Sequence, residues 1–163
     1  MADLVCNTPP IQYLHQLGRL DLLRTLASDI FVPRSVVDEI DRGISLGIDL
    51  PNLTSLPWIS VRAVRSCVHQ NWNNKLGLGE AEVLQVALET PGSLVVLDDR
   101  VARRIADSLN LPLKGTIGLL LDAKNAGLAT AIGPLLNRLA ELGFRLSTST
   151  RLAALHLAGE PTS

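Results

Sequence analysis

Acidic side chains that could bind a metal ion lie where predicted strands end or predicted helices begin. The most informative stretch covers residues 77–114, in which a Gly-rich turn opens a helix and a buried strand ends in Asp98 and Asp99. A second helix follows, and its first residues are rich in arginine. In open α/β sheets, ligands bind outside the carboxyl ends of the strands. This stretch therefore predicts a ligand site built from acidic oxygens.

Three further side chains belong to the same pattern. Glu80 precedes Val83 and Leu84 by three and four residues, which places it on the inward side of its helix. Glu39 lies at the margin of an apolar helical stripe and is expected to face inward, and Asn7 ends the first strand. Carboxylates that converge at one sheet edge repel each other unless a cation neutralises them. Hard oxygen ligands select Mg²⁺ or Mn²⁺, which can activate water against a phosphodiester.

Each of these residues also has a purely structural explanation. Asn7 in the Asn-Thr-Pro sequence can cap the first helix. Glu80 stabilises the helix dipole from the first turn, and Glu39 can pair with a basic neighbour on an exposed helix face. Asp99 is a natural N-cap, but capping explains only one aspartate of the pair. Asp98 is the residue that capping leaves unexplained.

A basic ridge stands beside the two aspartates. Arg100, Arg103 and Arg104 share one helix face through their spacing, which by default is a solvated surface. Next to a metal site these guanidinium groups would bind phosphates. The formal net charge of −1 excludes a protein that binds nucleic acid through positive charge spread over its whole surface, so any such contact is local.

The elements that must position these groups are mostly strands alternating with helices. This order predicts a three-layer α/β/α fold with a central, mostly parallel sheet of four or five strands. Aromatic residues make up only 3% of the chain, so the core must consist of Leu, Val, Ile and Ala. The pattern also predicts that Thr116 caps a helix, that residues 144–146 form an edge strand, and that Trp72 is a surface anchor.

The length of 163 residues fits one domain, predicted to cover residues 1–158, with a short disordered tail at 159–163. Cys6 and Cys67 form no CxxC pair, which suits a reducing cytosol. The sequence shows neither a signal peptide nor an apolar run that approaches the roughly 18 residues of a membrane span. A cytoplasmic protein with no membrane partner is therefore expected.

Several motifs together resemble the PIN-domain family. They are LVCNTPP, VPRSVVDEI, GLGEAE, LVVLDDRVARRIA and LKGTIGLLLDAKNAGL. The resemblance spans residues 4–146, and GEAE and LDDR are its most specific parts. It is greatest to a branch of predicted nucleic-acid-binding proteins related to bacterial toxin nucleases.

The resemblance implies an Mg²⁺- or Mn²⁺-dependent ribonuclease with an RNA substrate, as the toxin-like half of a toxin–antitoxin pair with a cognate antitoxin. It assigns catalysis to Glu39, Glu80, Asp98 and Asp99, and the metal to Asn7, Glu80, Asp98 and Asp99. Thr8 would be the small hydroxyl beside the first site, and with the basic ridge of Arg100, Arg103 and Arg104 it is expected to contact the nucleic acid. PIN nucleases generally have Asp where this chain has Asn7. An amide offers a carbonyl oxygen but no charge, which weakens metal affinity.

The sequence is also compatible with two other functions and with a homodimer. A catalytically silent PIN-like module would bind RNA or a protein partner. A phosphoacceptor receiver domain carries its acidic pair after the first strand, whereas Asp98 and Asp99 come late, so the order of elements disfavours it. The apolar stripes at 117–121 and 135–142 indicate either a homodimer face or ordinary core.

Overall fold

The computed structural model describes residues 1–67, 72 and 74–162, and its centre is one parallel sheet of five strands in the order β3-β2-β1-β4-β5. The strands are β1 (Leu4–Cys6), β2 (Ile30–Pro33), β3 (Ile59–Arg62), β4 (Leu94–Val96) and β5 (Leu113–Lys114). All four neighbouring pairs are parallel. The predicted parallel sheet is confirmed, with five strands.

Eight α-helices connect and follow these strands within the described residues. They are α1 (Thr8–Gln16), α2 (Asp21–Leu26), α3 (Arg34–Ser45), α4 (Leu78–Leu88), α5 (Arg100–Ser108), α6 (Thr116–Asn125), α7 (Gly133–Glu141) and α8 (Thr148–Leu157). A short 3₁₀ helix, Leu53–Ser55, precedes β3.

The helices cover both faces of the sheet. From β1 the chain moves to β2 on one side, and from β4 it moves to β5 on the other side. Because parallel crossovers are right-handed, these opposite directions place α1 and α2 on one face and α5 on the other. Helix α4 packs across β2, β1 and β4, whereas α1 and α2 contact α6. The predicted three-layer α/β/α fold is confirmed.

The core is aliphatic, as the composition predicts. The central strand β1 is buried along its whole length, which is why its sequence is apolar on both faces. The side chains of Leu119, Leu120, Leu136 and Leu139 lie in the same core, each at most 1% exposed. The buried leucines of the stripes at 117–121 and 135–142 therefore belong to the core of one chain, which is the alternative to a homodimer face.

Three local predictions were wrong. Residues 144–146 form no strand but connect α7 to α8, and the Phe144 ring packs edge-to-face on Tyr13, with centroids 5.1 Å apart. Trp72 is 6% exposed and belongs to the core, so it is no surface anchor. Thr116 does not cap α6 but is its first residue, with Gly115 at the N-cap position.

The segment 159–163 was expected to be a disordered tail, but Glu160 within it is tightly bound. Its carboxylate accepts hydrogen bonds from the backbone N–H groups of Ile132 and Gly133 at 2.8 and 3.0 Å, and from Lys124 Nζ at 2.9 Å. These bonds lower the pKa of Glu160 to about 2, with the Ile132 N–H the largest cause. Glu160 thus caps the start of α7 from the end of the chain.

None of the helices in the described ranges has the length and apolar character needed to cross a membrane.

Candidate functional site

The candidate site lies where the order of strands reverses, between β1 and β4. The chain leaves β1 toward β2 and leaves β4 toward β5, in opposite directions, which opens a crevice at the carboxyl ends of these two strands. Cys6 is level with Val96 in the sheet. The residues that follow these paired strand ends, Asn7 after β1 and Asp98 after β4, therefore lie at the same edge of the sheet. Asp98 borders the larger cleft described below, whereas Asn7 and Thr8 are buried and do not border it.

Asn7 and Thr8 each bring a buried oxygen that has no hydrogen-bond partner among the described residues. Asn7 is 2% exposed and Thr8 is 6% exposed, and the orphan atoms are Asn7 Oδ1 and Thr8 Oγ1. Asn7 occupies the N-cap position of α1, but its side chain makes no capping hydrogen bond. Leaving a buried acceptor unpaired costs about 1–3 kcal/mol. The capping explanation of Asn7 is therefore wrong.

Asp98 is partly buried, and both of its carboxylate oxygens are engaged. Oδ1 accepts from the backbone N–H of Thr116 at 2.8 Å, and Oδ2 accepts from Thr116 Oγ1 at 2.6 Å. Thr116 is fully buried at the first position of α6. An ionised carboxylate has about four lone-pair sites, so each oxygen keeps one for another ligand.

Burial raises the pKa of Asp98 above its ordinary value, and the two bonds from Thr116 and the charge of Arg103 oppose this rise. Burial also raises the pKa of the Cys6 thiol to about 12, with a smaller contribution from the negative charge of Asp98. Cys6 is fully buried and stays protonated at neutral pH. It is therefore excluded as a nucleophile.

Gly115 is required because two side chains approach its backbone. A Cβ at this position would lie 2.7 Å from Asp98 Oδ1 and 2.7 Å from Arg103 Nη1. Arg103 Nη1 also donates to the carbonyl oxygen of Leu97 at 2.8 Å. Arg103 thus connects α5 to the end of β4. The end of β4, the turn between β5 and α6, and Asp98 are packed together.

Asp99 has the capping role that its position predicts. Its carboxylate accepts from the backbone N–H of Ala102 at 2.8 Å, at the start of α5. Asp99 is exposed and borders the same cleft as Asp98. Asp98 is therefore the inward aspartate of the pair.

Glu80 folds back over the start of α4. Its Oε2 lies 2.6 Å from the point that a Cβ on Gly77 would occupy, so glycine leaves room for the carboxylate. Glu80 is partly buried and borders two clefts. One has a volume of about 1560 Å³ and is also lined by Asp98 and Asp99, and the other, of about 490 Å³, is lined by Glu39.

Glu39 was expected to face inward, but the structure shows it exposed. The buried face of α3 comprises Val36, Val37 and Ile40, and Glu39 lies outside it. Its Oε2 reaches toward the start of α4, 3.1 Å from the position of a Cβ on Gly79. The N-terminus of a helix attracts carboxylates, which accounts for this orientation. Glu39 lines only the smaller cleft, so the acids do not all converge.

The oxygen donors at this site are of the type that a hard divalent cation prefers, but few of them are charged. The orphan oxygens of Asn7 and Thr8 and the free lone pairs of Asp98 are hard oxygen donors of the type that Mg²⁺ and Mn²⁺ prefer. No group of three or more His, Cys, Asp or Glu in the described parts of the chain is placed to hold a metal. With an amide at Asn7, the ligand set is poor in charge.

Positively charged side chains line the larger cleft together with the acids. Arg100, Arg103 and Arg104 border it, as the helical spacing predicts. Arg103 is partly occupied by its bond to the Leu97 carbonyl, whereas Arg100 and Arg104 are exposed. Thr8 is buried and does not line the cleft.

Sequence reasoning missed two cations of this cleft, Lys114 and Arg145. Lys114 ends β5, and its position at a strand end in the same sheet was a usable signal. Its Nζ forms an ion pair with Asp122. Arg145 follows Phe144 in the segment wrongly predicted as an edge strand, so its place in the cleft had no local signal.

The sequence matches the PIN-domain family model over residues 3–160. The chain belongs to the PIN-domain family. The structure is also similar to that of a PilT N-terminus domain protein from the hyperthermophilic archaeon Sulfolobus solfataricus, with a TM-score of 0.55 and 19% sequence identity. The alignment covers 74% of this chain and 92% of the archaeal one, and it supports the PIN fold. No curated protein matches the sequence.

Proposed function

We propose that this PIN-domain protein is a divalent-metal-dependent ribonuclease whose metal site lies at the carboxyl ends of β1 and β4. The carrying observation is the pair of buried oxygens, Asn7 Oδ1 and Thr8 Oγ1, that find no partner in the described chain. Buried polar atoms are nearly always satisfied by a protein group, an ordered water molecule or an ion. A cation at this point would satisfy both atoms beside the partly buried Asp98.

In this proposal Asn7 and Asp98 bind the ion, which is Mg²⁺ or Mn²⁺, with Thr8 beside them. Glu80 and Asp99 complete the site through bound water, because the acids in the described residues are not grouped to hold one ion directly. When bound, such an ion lowers the pKa of a water molecule and stabilises the charge on the leaving oxygen. Glu39, in the adjoining cleft, is the remaining acid assigned to catalysis. Arg100 and Arg104 bind phosphates of the RNA and orient it along the larger cleft.

Cleavage of RNA in Mg²⁺ or Mn²⁺ tests the proposal. We expect activity that EDTA abolishes and that is lost in the Glu80→Gln and Asp98→Asn variants. Glu82→Gln is the matched control, because Glu82 is on the same helix but borders neither cleft. Equal activity in all four proteins would refute the assignment of the site.

A second candidate is a catalytically silent PIN-like module that binds RNA or a protein partner. The amide at Asn7 and the lack of a group of three acids in the described residues favour it. This module would bind RNA in EDTA and leave it intact in Mn²⁺. An Asn7→Asp variant that gains cleavage would support it, and robust cleavage by the wild type would exclude it.

A toxin-like role follows if the ribonuclease acts on cellular RNA. Expression of the chain alone would then slow growth, and expression of the Asp98→Asn variant would not. A cognate antitoxin would restore growth by covering the larger cleft. Equal growth with both proteins would contradict the toxin-like role without affecting the test in vitro.

A further inference from the structure

Two aromatic rings line the larger cleft, on elements that carry none of its acidic side chains. The rings of Tyr13 and Phe144 meet edge-to-face, with centroids 5.1 Å apart and an angle of 88° between their planes. In such a pair, one ring contacts its partner only through its edge, so both faces of that ring are left free by the contact. Both residues are partly buried and border the cleft. The pair therefore offers aromatic surface that its own contact does not use.

Local structure fixes both rings relative to the proposed metal site. Tyr13 is four residues after Pro9 on α1, so both lie on one face of this helix, and both border the cleft. Helix α1 starts directly after Asn7, which places Tyr13 about 9 Å farther along its axis. The Phe144 N–H donates to the Leu139 carbonyl at 3.0 Å and secures the connection to α7.

A free positive charge stands next to the rings. Arg145 is exposed, borders the cleft and makes no ion pair within the described residues. Lys114, another cation of this cleft, is paired with Asp122. Arg138 on α7 is paired with Glu141 at 3.0 Å and does not border the cleft. Arg145 is therefore available to a ligand phosphate.

We propose that Tyr13, Phe144 and Arg145 form a nucleotide subsite that binds one residue of single-stranded RNA beside the scissile phosphate. A base stacks on the ring pair, and Arg145 binds the adjacent phosphate. Combining aromatic platforms with cations in a groove is the general way in which proteins bind unpaired strands, because bases in a duplex are already stacked. The inference rests on the proposed function only in that the cleft takes RNA, and it does not require cleavage.

Binding to two labelled strands tests the subsite. One is a short single-stranded RNA, and the other has the same length and phosphates but lacks its bases. Fluorescence anisotropy is measured in EDTA, so that no cleavage occurs. Phe144→Leu should weaken binding of the normal strand roughly 5- to 150-fold and leave the abasic strand unaffected.

The arginine is tested by the salt dependence of binding. Arg145→Gln should weaken both strands equally and reduce the slope of log affinity against log salt by about 0.7, the value for one phosphate of a single strand. Arg138→Gln is the matched control and should behave as the wild type. Equal effects of the two substitutions would overturn the role of Arg145.

A second variant separates stacking from folding. Phe144→Trp keeps an aromatic face, so its affinity for the normal strand should stay close to that of the wild type, with tryptophan fluorescence quenched only by that strand. If Phe144→Leu binds both strands as the wild type does while Arg100→Gln loses affinity, RNA occupies the cleft but not this subsite. If the wild type binds neither strand, the subsite and the proposed RNA function fail together.

Discussion

Asp98 accepts both hydrogen bonds that Thr116 donates, at 2.8 Å from its backbone N–H and at 2.6 Å from its Oγ1. The acid after β4 is thereby fixed to the start of α6, which follows the neighbouring strand β5. A helix N-terminus favours a negative charge, so this arrangement holds the carboxylate in one orientation. The remaining lone pairs of Asp98 stay available for a cation.

Replacing Thr116 by Val should destabilise the protein by about 1–3 kcal/mol, because Asp98 Oδ2 then lies partly buried without its donor. Thr116→Ser keeps the hydroxyl, so its free energy of unfolding should stay closer to that of the wild type. Urea denaturation of the three proteins measures the free energy of unfolding. If Thr116→Val is no less stable than Thr116→Ser, the hydroxyl contributes no stability and the hydrogen bond is not the cause.

Gly115→Ala should displace Asp98, because the new Cβ would lie 2.7 Å from Oδ1. The φ angle of Gly115 is −101°, which any residue adopts, so the effect is steric. Gly118→Ala is the control, since its Cβ would make only ordinary contacts of 3.5 Å or more with Lys114. We expect a lower melting temperature for Gly115→Ala, and for Gly118→Ala a gain of up to about 1 kcal/mol from helix propensity. Equal shifts would refute the close approach.

The role of a side chain could be predicted from the sequence where its hydrogen-bond partner lies only a few residues away. Asp99 as N-cap of α5 was predicted because its partner, the Ala102 N–H, is three residues away. The partner of Asp98 is 18 residues away and across a strand, so only the fold reveals it. Thr116 was wrongly predicted to cap α6, because a hydroxyl at the start of a helix normally bonds to that helix. Its actual partner, Asp98, is distant in sequence.

Tertiary contacts also explain the errors in side-chain direction. Gln85 of α4 is polar, yet it is buried and donates to Ser66 Oγ at 2.9 Å, because the chain after β3 covers that side of the helix. Glu39 was expected to face inward, but the start of α4 draws its carboxylate to the surface. Periodicity identifies one apolar face of a helix and does not show which other element covers the opposite one.

Glu160→Gln should destabilise α7 at neutral pH by about 1 kcal/mol, comparable to the loss of a helix cap. The pKa of Glu160 is lowered in the folded state from 4.5 to about 2, so its charge stabilises the fold above pH 4.5. This stabilisation is lost as the pH falls through about 2. The difference in free energy of unfolding between wild type and variant should therefore shrink from pH 4.5 downward. A difference that is constant across this range would contradict the ionic cap.

Asn7→Asp tests the proposed metal site without an activity assay. In EDTA at pH 7 the new carboxylate would be almost fully buried near Asp98, and desolvation and like-charge repulsion should cost on the order of 3 kcal/mol. Mn²⁺ should reverse this loss and raise the melting temperature of the variant more than that of the wild type. Asn7→Ala removes the orphan oxygen and should lose the response to Mn²⁺. If Mn²⁺ shifts all three proteins equally, the ion does not bind between β1 and β4, and the buried oxygens of Asn7 and Thr8 need another explanation.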